Sequence, residues 1–146
     1  MYQIEIGHNF ETAHRLSHPD APHKCQSIHG HSWWVVVTLA GPSLDDAGML
    51  VEFGRFKKIW RGWLDQHVDH HLAVCEGDPV AAAILSVQPD ARILSLPFDP
   101  TTEQLARWLW QRAAEALQQA APHRDDLHVA RVHLQETRVN AASFSP

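Results

Sequence analysis

Histidines at two-residue spacing carry the strongest chemical signal in the chain. His29 and His31 flank one glycine in HGHS. In an extended segment alternate side chains share a face, so these two rings project in parallel, about 6.5–7 Å apart at a rise of roughly 3.3 Å per residue. Two imidazoles so placed can converge on one ion. His14, at the end of the preceding extended segment, can supply a third ring, and three protein ligands with an open fourth position is what catalytic tetrahedral zinc takes. Cys25 stands four residues before His29. It admits three readings: a fourth ligand closing a structural His/Cys site, a nucleophile or base whose thiolate is favoured by nearby cations, or a small inert hydrophobe.

Acids and further histidines extend the pattern. In VDHHL, Asp69 sits beside His70 and His71 just past a predicted helix end, where a carboxylate can orient an imidazole for proton transfer; the plain alternative is a solvated helix terminus. Glu136, in LQET at a strand end, is either an exposed edge charge or a buried acid in need of a donor-rich ligand. Glu103, in DPTTE, suits the first turn of a helix, where the macrodipole favours an acid. His8, His18, His23, His67, His123, His128 and His133 show no ligand spacing and read as background.

The elements that must position these residues follow from periodicity. Ile4, Ile6, Phe10 and Thr12 recur at near two-residue intervals, predicting a half-buried strand from Tyr2 to His14. Residues 17–25, with two prolines, read as a loop. His29 to Ala40 is rich in Val, Trp and Thr and reads as a second strand, antiparallel to the first. Phe53, Phe56, Trp60, Trp63, Leu64 and His67 mark an amphipathic helix of about 14 residues. Residues 73–96 are the least legible, mixing a short helix at 79–86 with a strand at 92–96. Thr101 with Gln104 forms a capping-box pattern opening a second helix that runs to about Ala120. Leu127 to Thr137 alternates again, and VNAASFS reads as a last edge strand. Runs of antiparallel strands with helices on one face mean an α+β fold.

Composition excludes more than it assigns. The chain has 146 residues, 12 of them histidine, and a net charge of -5 with only 12 Lys plus Arg. That is one domain's length, and it lacks the dense basic face that general nucleic-acid binding requires. Two cysteines form no disulfide framework, and no apolar stretch reaches the length of a membrane span. The expectation is a reduced, cytoplasmic protein with no membrane partner.

Six islands in order, FETAHRL (10–16), HKCQSIHGHS (23–32), VEFGRFK (51–57), VDHHL (68–72), DPTTEQLARWLW (99–110) and LQET (134–137), resemble the 6-pyruvoyl-tetrahydropterin synthase family, and within it the bacterial 6-carboxy-tetrahydropterin synthases of queuosine biosynthesis. The resemblance implies one domain over 1–146 with a tunnelling fold, an antiparallel four-stranded sheet with two helices packed on one face. It also implies a homo-oligomer, by family a hexamer, with active sites at subunit interfaces. His14, His29 and His31 match the zinc ligands, one ion per subunit. Cys25 matches the catalytic base, and Asp69 with His70 the proton relay. Glu136, and less directly Glu103 with Thr102 beside it, match the residues holding the pterin's guanidine-like edge. The implied substrate is 7,8-dihydroneopterin triphosphate, with zinc on its side-chain hydroxyls acidifying the adjacent C–H. Lys24 and Arg15 flank the cluster with positive charge and are expected at the triphosphate. Three residues between Cys25 and His29 are similar to the carboxy branch, which releases acetaldehyde and triphosphate. The rivals are a pyruvoyl-producing or other side-chain lyase, a pterin-binding module without turnover, and a structural zinc domain. Residues 73–98 are longer than in compact synthases.

Overall fold

The computed structural model describes residues 1–146. Strand β1 (Tyr2–His14) is followed by a single-turn helix α1 (His23–Gln26) and then by β2 (His29–Gly41). Helix α2 (Phe53–His67), strand β3 (Leu72–Cys75), helix α3 (Pro79–Val87) and strand β4 (Ile93–Leu96) come next. The chain ends with helix α4 (Thr102–Ala120) and strands β5 (His128–Gln135) and β6 (Ala141–Phe144). No helix is long and apolar enough to cross a membrane.

The six strands form one sheet in the order β4-β3-β1-β2-β5-β6. β1 pairs antiparallel with β2 along its whole length, and β5 and β6 extend the sheet antiparallel on that side. On the other side β3 joins the end of β1 in parallel, and β4 joins β3 in parallel. The expected antiparallel four-stranded sheet with two helices is therefore corrected to a mixed six-stranded sheet with four helices; the α+β class stands. Two features of the sequence hid the difference. The four residues of β3 show no alternation, since Ala73 and Val74 are both buried, and the loop expected over 17–25 tightens into α1 with no buried side chain of its own.

Alternation drives one face of the sheet against α2 and α4. Ile6 and Phe10 of β1 and Trp33, Val35, Val37 and Leu39 of β2 are buried with Phe56, Trp60 and Leu64 of α2 and Leu105, Leu109 and Ala113 of α4. Trp63 and Trp108 join the two helices, their rings 5.3 Å apart. Thr101 caps α4 by accepting from the Gln104 backbone N–H. Glu52 caps α2, accepting from the backbone N–H groups of Gly54 at 2.6 Å and Arg55 at 2.8 Å. Glu52→Ala is expected to cost about 1 kcal/mol, a typical cap value, read as a lower denaturant midpoint at unchanged slope.

Candidate metal centre and active site

The two histidine-bearing strands meet at one end of this buried face. His14 and His29 are direct cross-strand partners, and Thr12 lies opposite His31. Directly paired positions share a face at close side-chain spacing, so all three rings converge. Their centroids are 4.5 Å (His14–His29), 5.2 Å (His14–His31) and 5.0 Å (His29–His31) apart. One ring nitrogen from each lies within 4.8 Å of the others.

Carbonyl partners fix the tautomers. The Nδ1–H of His14 donates to the Pro100 carbonyl at 2.8 Å, and that of His29 to the Ser27 carbonyl at 2.7 Å, which leaves each Nε2 with a free lone pair. The Nε2 atoms of His14 and His31 are buried without a hydrogen-bond partner. Glu136, two residues past the buried Leu134 and just beyond the end of β5, brings its Oε1 to 3.4 Å from both of them. At His14 a lone pair thus faces a carboxylate oxygen at 3.4 Å, an arrangement that repels itself unless a cation lies between. Trp33 stands edge-on to His14 and His31 at 5.2 and 5.3 Å and donates its Nε1–H to the Thr12 carbonyl at 3.0 Å, closing the core side. The donor set fits a divalent metal. The Cys25 sulfur is not among the converging atoms, so the set holds three imidazoles and leaves room for a further ligand.

Two cavities adjoin the cluster. One, of about 460 Å³, is lined by His14, His29, Cys25, Thr102, Glu103 and Glu136 together with Leu16 and Asn140. The other, of about 580 Å³, is lined by His31, Glu11, Ser32, His70 and His71, with Gln88 and Arg92 from the 73–98 stretch. Cys25 and His70 therefore open to different cavities of one chain, with the histidine trio between them.

Asp69 and His70 form a tight pair. The His70 Nδ1–H donates to Asp69 Oδ2 at 2.6 Å, while Asp69 Oδ1 accepts the Glu11 backbone N–H at 2.8 Å. Burial pushes the Asp69 carboxyl up, but the Glu11 amide, the His70 ring and the Arg92 guanidinium together bring it below its ordinary 3.8. His70 has a φ of 56°, uncommon for a residue with a side chain, and its N–H donates to the Glu11 carbonyl at 2.6 Å. Strand β1 thus holds the pair in a left-handed turn that costs about 1 kcal/mol, the kind of strain found at working sites.

The two residues expected at a triphosphate differ in their surroundings. Lys24 is exposed and lines neither cavity. Arg15 is committed to the Asp78 carboxylate and the Gln26 carbonyl, because a buried acid claims its charge. Sequence reasoning also missed groups that matter. Pro100 and Ser27 act through backbone carbonyls and carry no side-chain signal. Arg92 donates to the Asp65 and Asp69 carbonyls at 2.9 and 3.1 Å. Asp99 accepts from the Ser17 N–H and hydroxyl and from the His18 N–H, tying the Cys25 loop to the start of α4.

Burial pushes both His14 and His31 below 6.5, outweighing the Pro100 and Glu136 contacts that act the other way. Neutral imidazoles are what a metal needs. The sign for the metal-free chain follows from linkage: below the unfolded pKa the unfolded state binds more protons, so stability is full above pH 6.5 and is lost as the pH falls through the lowered native values. Asp69 and Asp99, both below 3.8, give up their share only at more acid pH. Thermal melts of the metal-stripped chain are expected to decline from about pH 6.5 downward, and saturating zinc to shift that decline to lower pH.

A family model described as 6-pyruvoyl tetrahydropterin synthase matches residues 3–146. Among sequence relatives, a 6-carboxy-5,6,7,8-tetrahydropterin synthase of Rickettsia bellii is 33% identical over 98 residues, 66% of this chain and 69% of that one. One of the same name from Haemophilus influenzae is 24% identical over 149 aligned positions, 99% of each chain. Two solved structures share the fold at 21% identity. An uncharacterized protein of Wolinella succinogenes has a TM-score of 0.80, with 99% of this chain and 97% of that one covered. The Caenorhabditis elegans 6-pyruvoyl tetrahydropterin synthase has a TM-score of 0.65, with 99% and 95% covered. With its sequence matched by the family model almost from end to end and its sheet superposing on a solved member, the chain belongs to the 6-pyruvoyl tetrahydropterin synthase family.

Proposed function

We propose that this chain is a zinc-dependent lyase that converts 7,8-dihydroneopterin triphosphate and one water to 6-carboxy-5,6,7,8-tetrahydropterin with release of acetaldehyde and triphosphate, as a step toward queuosine and related 7-deazapurines. The observation that carries the reading is the convergence of three imidazoles, two of them oriented by backbone carbonyls, beside a cavity that also holds Cys25 and Glu136. The relatives named 6-carboxy-5,6,7,8-tetrahydropterin synthase support the carboxy product.

His14, His29 and His31 would hold one zinc ion. When bound, zinc supplies Lewis acidity that lowers the pKa of a hydroxyl or adjacent C–H on a chelating substrate. Cys25, in the same cavity as His14 and His29, would take the proton as thiolate. Glu136 and Glu103, with Thr102, would accept hydrogen bonds from the amino-pyrimidine edge of the pterin, a donor-rich group that matches two carboxylates. Asp69 holds His70 by its Nδ1–H, so the exposed Nε2 is the atom that would give and take protons. Because Cys25 and His70 open to different cavities, a relay using both would be completed where copies meet, consistent with a homo-oligomer whose sites lie between subunits.

Product analysis tests the reading. Incubation of the zinc-loaded chain with 7,8-dihydroneopterin triphosphate should yield 6-carboxy-tetrahydropterin and acetaldehyde in equal amounts. Recovery of 6-pyruvoyl-tetrahydropterin without acetaldehyde would assign the chain to the other branch, and absence of any product would leave a binding module.

A further inference from the structure

Arg15 directly follows His14 at the end of β1, and its guanidinium reaches two ways. Its Nε donates to the Gln26 carbonyl at 2.8 Å, and its Nη1 pairs with Asp78 Oδ2. The Asp78 side chain is wholly buried and that of Arg15 is only 15% exposed. The second oxygen of Asp78 accepts the Val80 N–H at 2.9 Å and so caps α3. One planar cation therefore ties the start of α3, inside the 73–98 stretch, to the carbonyl of the residue after Cys25.

The segment it reaches has little else to hold it. Helix α1, which carries Cys25, is four residues long and buries no side chain, and a turn of that length is not stable by itself. Its fixed points are hydrogen bonds: the Leu16 N–H to the Cys25 carbonyl at 2.9 Å, the Cys25 N–H to the Pro22 carbonyl at 2.8 Å, and the Gln26 side-chain amide to the Ala21 carbonyl at 2.8 Å. Beside the Asp99 contacts to Ser17 and His18, Arg15 adds a second charged strut, and it does so from a buried pair that cannot be exchanged for water without leaving a charge unmatched.

We propose that Asp78, acting through Arg15, is a positioning residue for Cys25, so that the 73–98 stretch serves the site by holding the thiol in place rather than by touching substrate. This rests on Cys25 being the base of the proposed reaction. It also assigns the Arg15 charge to structure: a guanidinium that neutralises a buried carboxylate and satisfies a carbonyl has no charge to spare for a triphosphate.

The test uses the zinc-loaded chain carrying Cys75→Ser, which leaves Cys25 as its single thiol. Two mild substitutions separate charge from geometry. Asp78→Asn keeps an oxygen to cap α3 while removing the negative charge. Arg15→Lys keeps the positive charge but loses the fork that serves two acceptors at once. In both folded variants, alkylation of Cys25 by iodoacetamide, measured above the ordinary thiol pKa of about 8.5, is expected to accelerate at least about 3-fold as the segment opens more often. Turnover is expected to fall about 10-fold in kcat with KM moving less than about 3-fold, the mark of a misplaced reacting group. The double variant should lose no more than the worse single one, since both substitutions break one strut. Unchanged alkylation and kcat in either folded variant would overturn the proposal, as would a raised KM at intact kcat, which would place Arg15 on the substrate. The alkylation arm needs no turnover, so it decides the coupling even if Cys25→Ala shows that the thiol is not the base.

Discussion

Cys25→Ala is expected to fold, to bind zinc as tightly as the parent, and to lose about 10²–10⁴-fold in turnover of 7,8-dihydroneopterin triphosphate, the range a positioned proton acceptor contributes. The fold should survive because α1 buries none of its side chains and the segment is held by backbone groups that alanine retains. Metal binding should survive because the sulfur is not among the atoms that converge on the cluster. Zinc titration followed by melting, and single-turnover kinetics on the same sample, separate these statements. A variant that kept full turnover would show that another group takes the proton. One that lost zinc as well would show that Cys25 closes a four-ligand structural site and would remove the lyase reading.

His31→Ala carries the second large effect, with opposite signs in the two states. In the metal-free chain the His31 Nε2 is buried, without a hydrogen-bond partner, and 3.4 Å from the Glu136 carboxylate. An unsatisfied buried polar atom costs about 1–3 kcal/mol, so its removal offsets the small cavity it leaves, and the apoprotein should melt no lower than the parent. With zinc the result reverses. The hydrogen-bond partners of metal ligands already govern about 10–100-fold in affinity, so loss of a ligand should weaken zinc by more than about 100-fold and abolish the stabilisation zinc gives the parent. Calorimetry with and without zinc reads both halves. An apo variant that fails to fold would mean the ring is held by packing alone; undiminished zinc affinity would remove His31 from the site.

Asp69→Asn should act more narrowly. The asparagine can still take the Glu11 N–H, but it no longer offers His70 a carboxylate to hold its Nδ1–H, so turnover should fall about 10–100-fold. Undiminished turnover in the folded variant would mean that the pair only shapes the turn.

Local patterning made the histidine cluster legible, and long-range pairing hid its surroundings. Alternation in β2 put His29 and His31 on one face, because a two-residue period is enough to predict which side chains share a side, and it left His14 as the ring that the end of the preceding strand can supply. Antiparallel pairing then fixed the register that makes His14 and His29 partners. Helices α2 and α4 were equally plain, each having a long apolar stripe. Strand β3 was not, since four residues without alternation look like coil until β1 and β4 flank them. Asp78 carries no signal of its own in the sequence, because its partner lies 63 residues earlier in the chain. For the same reason Arg15 seemed a free cation. His8 passed for background and proves buried, with its Nδ1 accepting from Arg61.

Titration of the metal-stripped chain with zinc, following bound metal and turnover of 7,8-dihydroneopterin triphosphate in the same samples, tests the whole account most directly. Turnover should be absent without metal, rise in proportion to bound zinc, and level off at one ion per chain. Full turnover in the stripped chain, or one tightly bound zinc per chain with four protein ligands and no turnover, would contradict it.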